Sequence, residues 1–92
     1  MPDMLSIIIP LYNEQDNIEP LYAKLDAVLS VMGQPYEIIL VNDGSTDDTR
    51  ARIDAVARRD DRVRVVHLRR NFGQTPGMMA GIDQARGDIL LP

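Results

Sequence analysis

The sequence predicts an α/β fold, half of a doubly wound parallel sheet with strand order 3-2-1-4. Three observations carry that expectation. Short aliphatic, β-branched runs recur at residues 5–11, 36–41 and 63–68, and each reads as a strand buried on both faces. Stretches with apolar residues at helical spacing separate them, as crossovers between parallel strands require. Clusters of Asn, Asp, Gly and Ser mark the junctions.

Taken in order, residues 5–11 (LSIIIPL) form the first expected strand. In the helix that follows, Ile18, Leu21, Leu25, Val28, Leu29 and Met32 share a face. Asp16 and Glu19 offer a capping box at its start, and Gly33 offers a stop. Pro20 is tolerated because it falls in the first turn. Residues 36–41 (YEIILV) form the second strand. The turn Asn42-Asp43-Gly44-Ser45 then leads into a helix with Ser45 as its cap, Asp48 three residues on, and Ile53, Val56 and Ala57 facing inward. Residues 63–68 form the third strand, with His67 read as a packed strand residue rather than a catalyst. After the loop 69–74, Thr75-Pro76 is a good cap and first-turn pair for a helix through Met79, Ile82 and Ala85 that stops at Gly87. Met78 and Met79 are expected to fill the interface between that helix and the sheet. Residues 88–91 open a fourth strand. No repeat, low-complexity tract or linker interrupts residues 1–92, which read as one unit.

Composition narrows the function. The 92 residues contain no Cys and one His, which excludes a disulfide framework, a thiolate metal cluster and a multi-histidine site. A reducing, cytoplasmic setting is the default. No apolar run reaches the roughly 18 residues of a membrane span. The start, Met-Pro-Asp-Met, carries an acid where a secretory leader has a basic region, so the chain is expected to be soluble and unprocessed.

The net charge of −4 conceals an asymmetry. Residues 1–48 hold nine acids and one base, Lys24, whereas residues 49–92 hold five acids and nine arginines. Two solvated helix faces of opposite sign would produce this, and so would arginines near an anionic ligand. Arg50, Arg52, Arg58 and Arg59 fall on one helical stretch, Arg62 and Arg64 flank it, and only Arg69 and Arg70 lie in a loop where a ligand would sit. Nucleic acid is not expected as a partner, because the balance is acidic and only Phe72 and three tyrosines would stack on bases.

In an open α/β sheet the ligand lies beyond the carboxyl ends of the strands, near the point where strand order reverses. That point falls between strands 1 and 4. The loops there carry Tyr12-Asn13-Glu14, residues 42–47 and residues 69–74. They lack G-x-G-x-x-G and G-x-x-x-x-G-K-[ST], so neither common phosphate cradle is present. What remains is carboxylate. Asp43 follows a buried strand and precedes a glycine, and a carboxylate so fixed suits an N–H donor on a base or a ribose hydroxyl better than a phosphate. Asn42-Asp43-Gly44-Ser45 also has the composition of an ordinary turn and cap, and Asn13 and Glu14 that of a solvated loop.

The ordered motifs SIIIPLYNE at 6–14, EIILVNDGSTD at 37–47, RNFG at 70–73, AGI at 80–82 and ARGD at 85–88 resemble the amino-terminal half of a family 2 inverting glycosyltransferase. The resemblance is strongest to the branch that makes polyprenyl-phosphate sugars, such as dolichol-phosphate mannose synthases and bactoprenol glucosyltransferases. It covers the chain nearly end to end. Where relatives often carry alanine-like helix formers this chain has Pro76-Gly77, which bears on where that helix starts.

The resemblance implies a nucleotide-diphospho-sugar transferase fold and a UDP- or GDP-sugar donor, with polyprenyl phosphate as acceptor at the cytoplasmic side of a membrane. Pro10, Tyr12, Asn13 and Glu14 would line the nucleoside pocket, and Asp43, with Gly44 beside it, would bond the base. Arg70, Asn71 and Gly73 would lie towards the phosphates. The family's Mg2+ or Mn2+ is held by an Asp-x-Asp shortly after the fourth strand, so its ligands and the general base are expected beyond Pro92. Asp88, at the start of that strand, is not the metal ligand. The chain is accordingly read as a donor-binding part, truncated before the metal motif and inactive alone. It is also expected to associate with itself through the apolar edge 88–91. Two other classes compete with this reading. A non-catalytic nucleotide-binding or scaffolding module would be favoured by an in-frame stop after Pro92. A receiver-like phosphoacceptor would need an acidic pair after strand 1 and a later lysine; only Glu14 partly qualifies, and the one lysine, Lys24, is on a helix.

Overall fold

A computed structural model describes residues 4–90. Four strands, β1 (Leu5–Leu11), β2 (Tyr36–Asn42), β3 (Val63–His67) and β4 (Asp88–Leu90), alternate with three helices, α1 (Ile18–Leu29), α2 (Thr49–Arg59) and α3 (Gln74–Gln84). The sheet is wholly parallel, in the order β3-β2-β1-β4, as the sequence pattern predicts. Asp88 pairs with Leu5, which sets it at the amino-terminal edge. Leu91, part of the expected fourth strand, lies outside the described residues. Among the described residues no helix is long and apolar enough to cross a membrane.

Strand alternation sorts the side chains onto two faces. Ile7, Ile9, Leu11, Ile38, Leu40 and Val63 pack with Ile18 and Leu29 of α1 and Ile53 and Val56 of α2. Ile8, Ile39 and Val41 pack on the other face with Met78, Ile82 and Ala85. Both faces of β2 are thus covered, which explains its unbroken apolar run. Its one charge, Glu37, is buried on the α3 face and receives Ser6 Oγ–H at 2.6 Å and the Arg86 backbone N–H at 2.7 Å.

Helix boundaries depart from the sequence expectation. No capping box forms at Asp16 and Glu19, because the chain enters α1 through a 3-10 turn, Gln15–Asn17, that already contains Asp16. The helix ends at Leu29, so Met32 lies beyond it and is exposed, and Val28, within the helix, is exposed rather than packed inward. Ser45 is not the cap of α2, which starts four residues later. Its hydroxyl instead accepts the Asn13 N–H at 3.0 Å, and Asp47 accepts the Thr49 N–H at 2.9 Å. Helix α3 begins at Gln74 after Gly73, so Thr75-Pro76 lies within its first turn. It ends at Gln84 rather than running to Gly87, where a Cβ would come within 2.3 Å of the Met4 carbonyl oxygen. Met79 is exposed, and only Met78 of the pair packs on the sheet.

A buried junction closes the α1–α2 face. Asp60 accepts Tyr22 Oη–H at 2.6 Å and Arg62 Nε–H at 3.0 Å. The Arg62 hydrogen bond, reinforced by Tyr22, outweighs burial and holds the Asp60 carboxyl down at about 2, from an ordinary 3.8. The bond to Asp60, with burial, pushes the Tyr22 hydroxyl up to about 12, from 10.0. A depressed carboxyl stabilises the fold above its unfolded value and loses that contribution as pH falls through the folded one; a raised phenol behaves in the opposite sense. The junction's contribution should therefore be level between about pH 4 and pH 10 and decay on either side. Because Arg62 is half exposed, the acid-side loss is about 1–2 kcal/mol. Urea midpoints measured across pH check this, and a Tyr22→Phe, Asp60→Asn double variant should flatten the decay.

Candidate functional site

The carboxyl ends of β1, β2 and β3 frame an open cleft of about 230 Å³, lined by Pro10, Leu11, Tyr12, Glu14, Asp43, Asn71 and Gly73. Six of the nine residues expected at the site are therefore together. The lining comes from the end of β1 and from the loops after β1, β2 and β3, the loops in which the site was expected.

Asp43 organises the cleft. Its backbone N–H donates to Leu11 O at 2.8 Å, which continues the β1–β2 pairing past the end of the strands. Only 4% exposed, its carboxylate draws in the β3–α3 loop. Oδ1 accepts the Phe72 N–H at 2.9 Å, and Oδ2 accepts the Gly73 N–H at 3.0 Å and Asn71 Nδ2–H at 3.2 Å. A carboxylate offers about four acceptor directions, so three internal donors leave one for a ligand. Glu14 accepts Asn17 Nδ2–H at 2.6 Å, and its own N–H donates to Thr49 Oγ1 at 2.9 Å. Tyr12 is 44% exposed on the rim.

Asn13, Gly44 and Arg70, also expected here, do not line the cleft; they belong to the loops that support it. Asn13 holds a left-handed φ of 51°, which Asn tolerates because its short side chain bonds locally. Its Oδ1 accepts the Thr46 N–H at 2.8 Å, stitching the β1 loop to the β2–α2 loop. Gly44 takes φ 70°, and a Cβ there would lie 2.1 Å from the Arg70 carbonyl carbon. Arg70 is exposed, with its guanidinium 4.7 Å over the Phe72 ring.

The cleft is therefore acceptor-rich. Two carboxylates line it and no cation does, so it suits N–H and O–H donors beside an aromatic face better than a bare phosphate. Among the described residues no group of three or more His, Cys, Asp or Glu would hold a metal ion. Residues that sequence reasoning left out are Leu11, whose carbonyl anchors Asp43, and Thr49 and Asp47 beneath Glu14. The Thr-Asp-Asp-Thr run after Ser45 was the available signal for the last two.

The sequence pattern described as glycosyl transferase family 2 matches residues 6–92. The undecaprenyl-phosphate 4-deoxy-4-formamido-L-arabinose transferase of Klebsiella pneumoniae is 40% identical over 88 residues, 95% of this chain and 27% of that protein. The crystal structure of S. aureus TarS 1-349 in complex with UDP-GlcNAc superposes with a TM-score of 0.74 at 28% identity, covering 96% of this chain and 25% of that one. The mannosyltransferase PcManGT of Pyrobaculum calidifontis, in complex with GDP-Man and Mn2+, gives a TM-score of 0.74 at 25% identity over 95% of this chain and 27% of that one. The chain thus spans about a quarter of the length of these relatives.

Proposed function

The chain belongs to glycosyl transferase family 2, and from that premise we propose that it supplies the donor-nucleotide half of a transferase that moves sugar from a UDP- or GDP-sugar to a polyprenyl phosphate. One observation carries the reading: Asp43, with three of its about four acceptor directions filled from within, lines the same cleft as Tyr12. An imide N–H of uracil, or the matching edge of guanine, offers the donor such a carboxylate takes. Tyr12 stacks on the base, Glu14 takes a ribose hydroxyl, and the Arg70–Gly73 loop lies towards the phosphates. The cleft is smaller than the roughly 300–1,000 Å³ that encloses a drug-sized ligand, so it holds a nucleoside and leaves the sugar outside. The named ligands of TarS and PcManGT support the donor class, and the name of the Klebsiella relative supports the acceptor. In this reading Mg2+ or Mn2+ is held by residues outside 4–90, as is the acceptor, at the cytoplasmic face of a membrane.

Titration calorimetry with UDP and GDP tests this. One of the two should bind, and Asp43→Asn should weaken it roughly 10- to 100-fold, the worth of a hydrogen bond to a charged group. Absence of binding by both, or equal binding by Asp43→Asn, overturns the reading.

A further inference from the structure

His67 ends β3 facing α2, 18% exposed, and the function proposed above makes no use of it. Both ring nitrogens are engaged. Nδ1 lies 3.0 Å from Asn42 Nδ2, its register partner on β2, and Nε2 lies 2.8 Å from Asp54 Oδ1 on α2. Asn42 in turn accepts the Ser45 N–H through Oδ1 at 3.0 Å. A backbone N–H only donates, so the oxygen end of the Asn42 amide faces Ser45 and its NH2 end faces His67. Nδ1 must then be the bare acceptor, and Nε2 carries the proton given to Asp54. The relay Asp54–His67–Asn42–Ser45 has one direction and needs a neutral ring. Its far end, Asn42 and Ser45, brackets Asp43 and Gly44.

We propose that His67 is a positioning residue and proton switch for the Asp43 turn. Neutral, it holds Asn42 in the orientation that fixes Ser45. Protonated, it sets Nδ1–H against the Asn42 NH2. Turning the amide over relieves that contact but sets NH2 against the Ser45 N–H, so the turn loses one hydrogen bond either way. The inference rests on Asp43 being the nucleotide contact.

Imidazole is the side chain that ordinarily changes charge between pH 5 and 8. The groups facing it are few. From α2 come Asp54 and, one helical turn to either side of it, Arg50 and Arg58. From β2 comes the neutral Asn42. On the turn beyond it, Asp43 is committed to the β3–α3 loop. Nucleotide affinity should therefore fall towards acid.

The test is titration of UDP and of GDP into the native chain and a His67→Asn variant at about pH 8 and about pH 5.5. The Ser45 amide resonance is followed over the same range without nucleotide. Asparagine keeps an acceptor for Asn42 and takes up no proton. Across that range the native affinity should fall about three- to tenfold more than the variant's, the worth of one net hydrogen bond. In the native chain Ser45 should titrate with the midpoint of the His67 ring, and in the variant it should not. Equal pH slopes, or a Ser45 resonance that ignores the ring, overturn the switch. If neither UDP nor GDP binds either protein at either pH, the nucleotide reading fails, and the Ser45 response alone decides the relay. It decides likewise if the variant does not fold.

Discussion

Replacing Glu37 with alanine should destabilise the chain by about 3 kcal/mol, read as a fall in the urea midpoint at neutral pH. Removing one partner of a buried ionic cluster typically costs 3–5 kcal/mol, because it strands the others. Here Ser6 Oγ, the Arg86 N–H and Nε and Arg64 Nη1 all converge on one carboxylate. The Gly87 N–H leans on Ser6 Oγ at 2.9 Å, so the loss extends to the turn that sets β4 beside β1. Arg64 and Arg86 are 32% and 61% exposed and rehydrate when released, which places the cost at the low end. Burial raises the Glu37 carboxyl, but the hydrogen bonds from Ser6, Arg86 and Arg64 outweigh it and hold it below its ordinary 4.5. Its contribution is therefore complete above that value and disappears as pH falls through the folded one. An unchanged midpoint in Glu37→Ala would refute this role.

Gly44→Ala should do comparable damage and, unlike Glu37→Ala, strike the cleft directly. Left-handed φ costs a non-glycine residue about 1–2 kcal/mol. The new Cβ would also meet backbone, 2.1 Å from Arg70 C and 2.3 Å from Asn71 N, where no flexible side-chain end can yield. The two loops must part, carrying Asn71, Phe72 and Gly73 away from Asp43. The expected result is a loss of about 2–4 kcal/mol of stability together with at least a tenfold loss of nucleotide affinity. Retention of both would contradict the close approach of the loops.

These two residues show where sequence reasoning stopped. Strand order and the carboxyl-edge location were legible because period and connectivity are local signals, and β2's apolar run could belong only to an interior parallel strand. Ser45 and Asp16 were misread as caps because each has a local motif, while their fates are decided elsewhere. Asn13, thirty-two residues from Ser45, claims its hydroxyl, and the 3-10 turn absorbs Asp16. Met79 and Met78 are equivalent in composition, and only the rotation of α3 on the sheet separates them. Asn13, Gly44 and Arg70 belong to the loops that were predicted but support the cleft rather than line it, a distinction that depends on side-chain direction for Asn13 and Arg70 and on the close approach of the Arg70 backbone for Gly44. Glu37 was visible as the one charge in an aliphatic strand, a pattern that calls for buried partners without naming them.

The most direct test of nucleotide recognition at this cleft is mapping UDP- and GDP-induced amide shifts onto the assigned spectrum. Binding at the site described here should concentrate the shifts at Tyr12, Asp43, Asn71 and Gly73, with the arginine-bearing face of α2 silent. Shifts centred on α2, or none with either nucleotide, would contradict it.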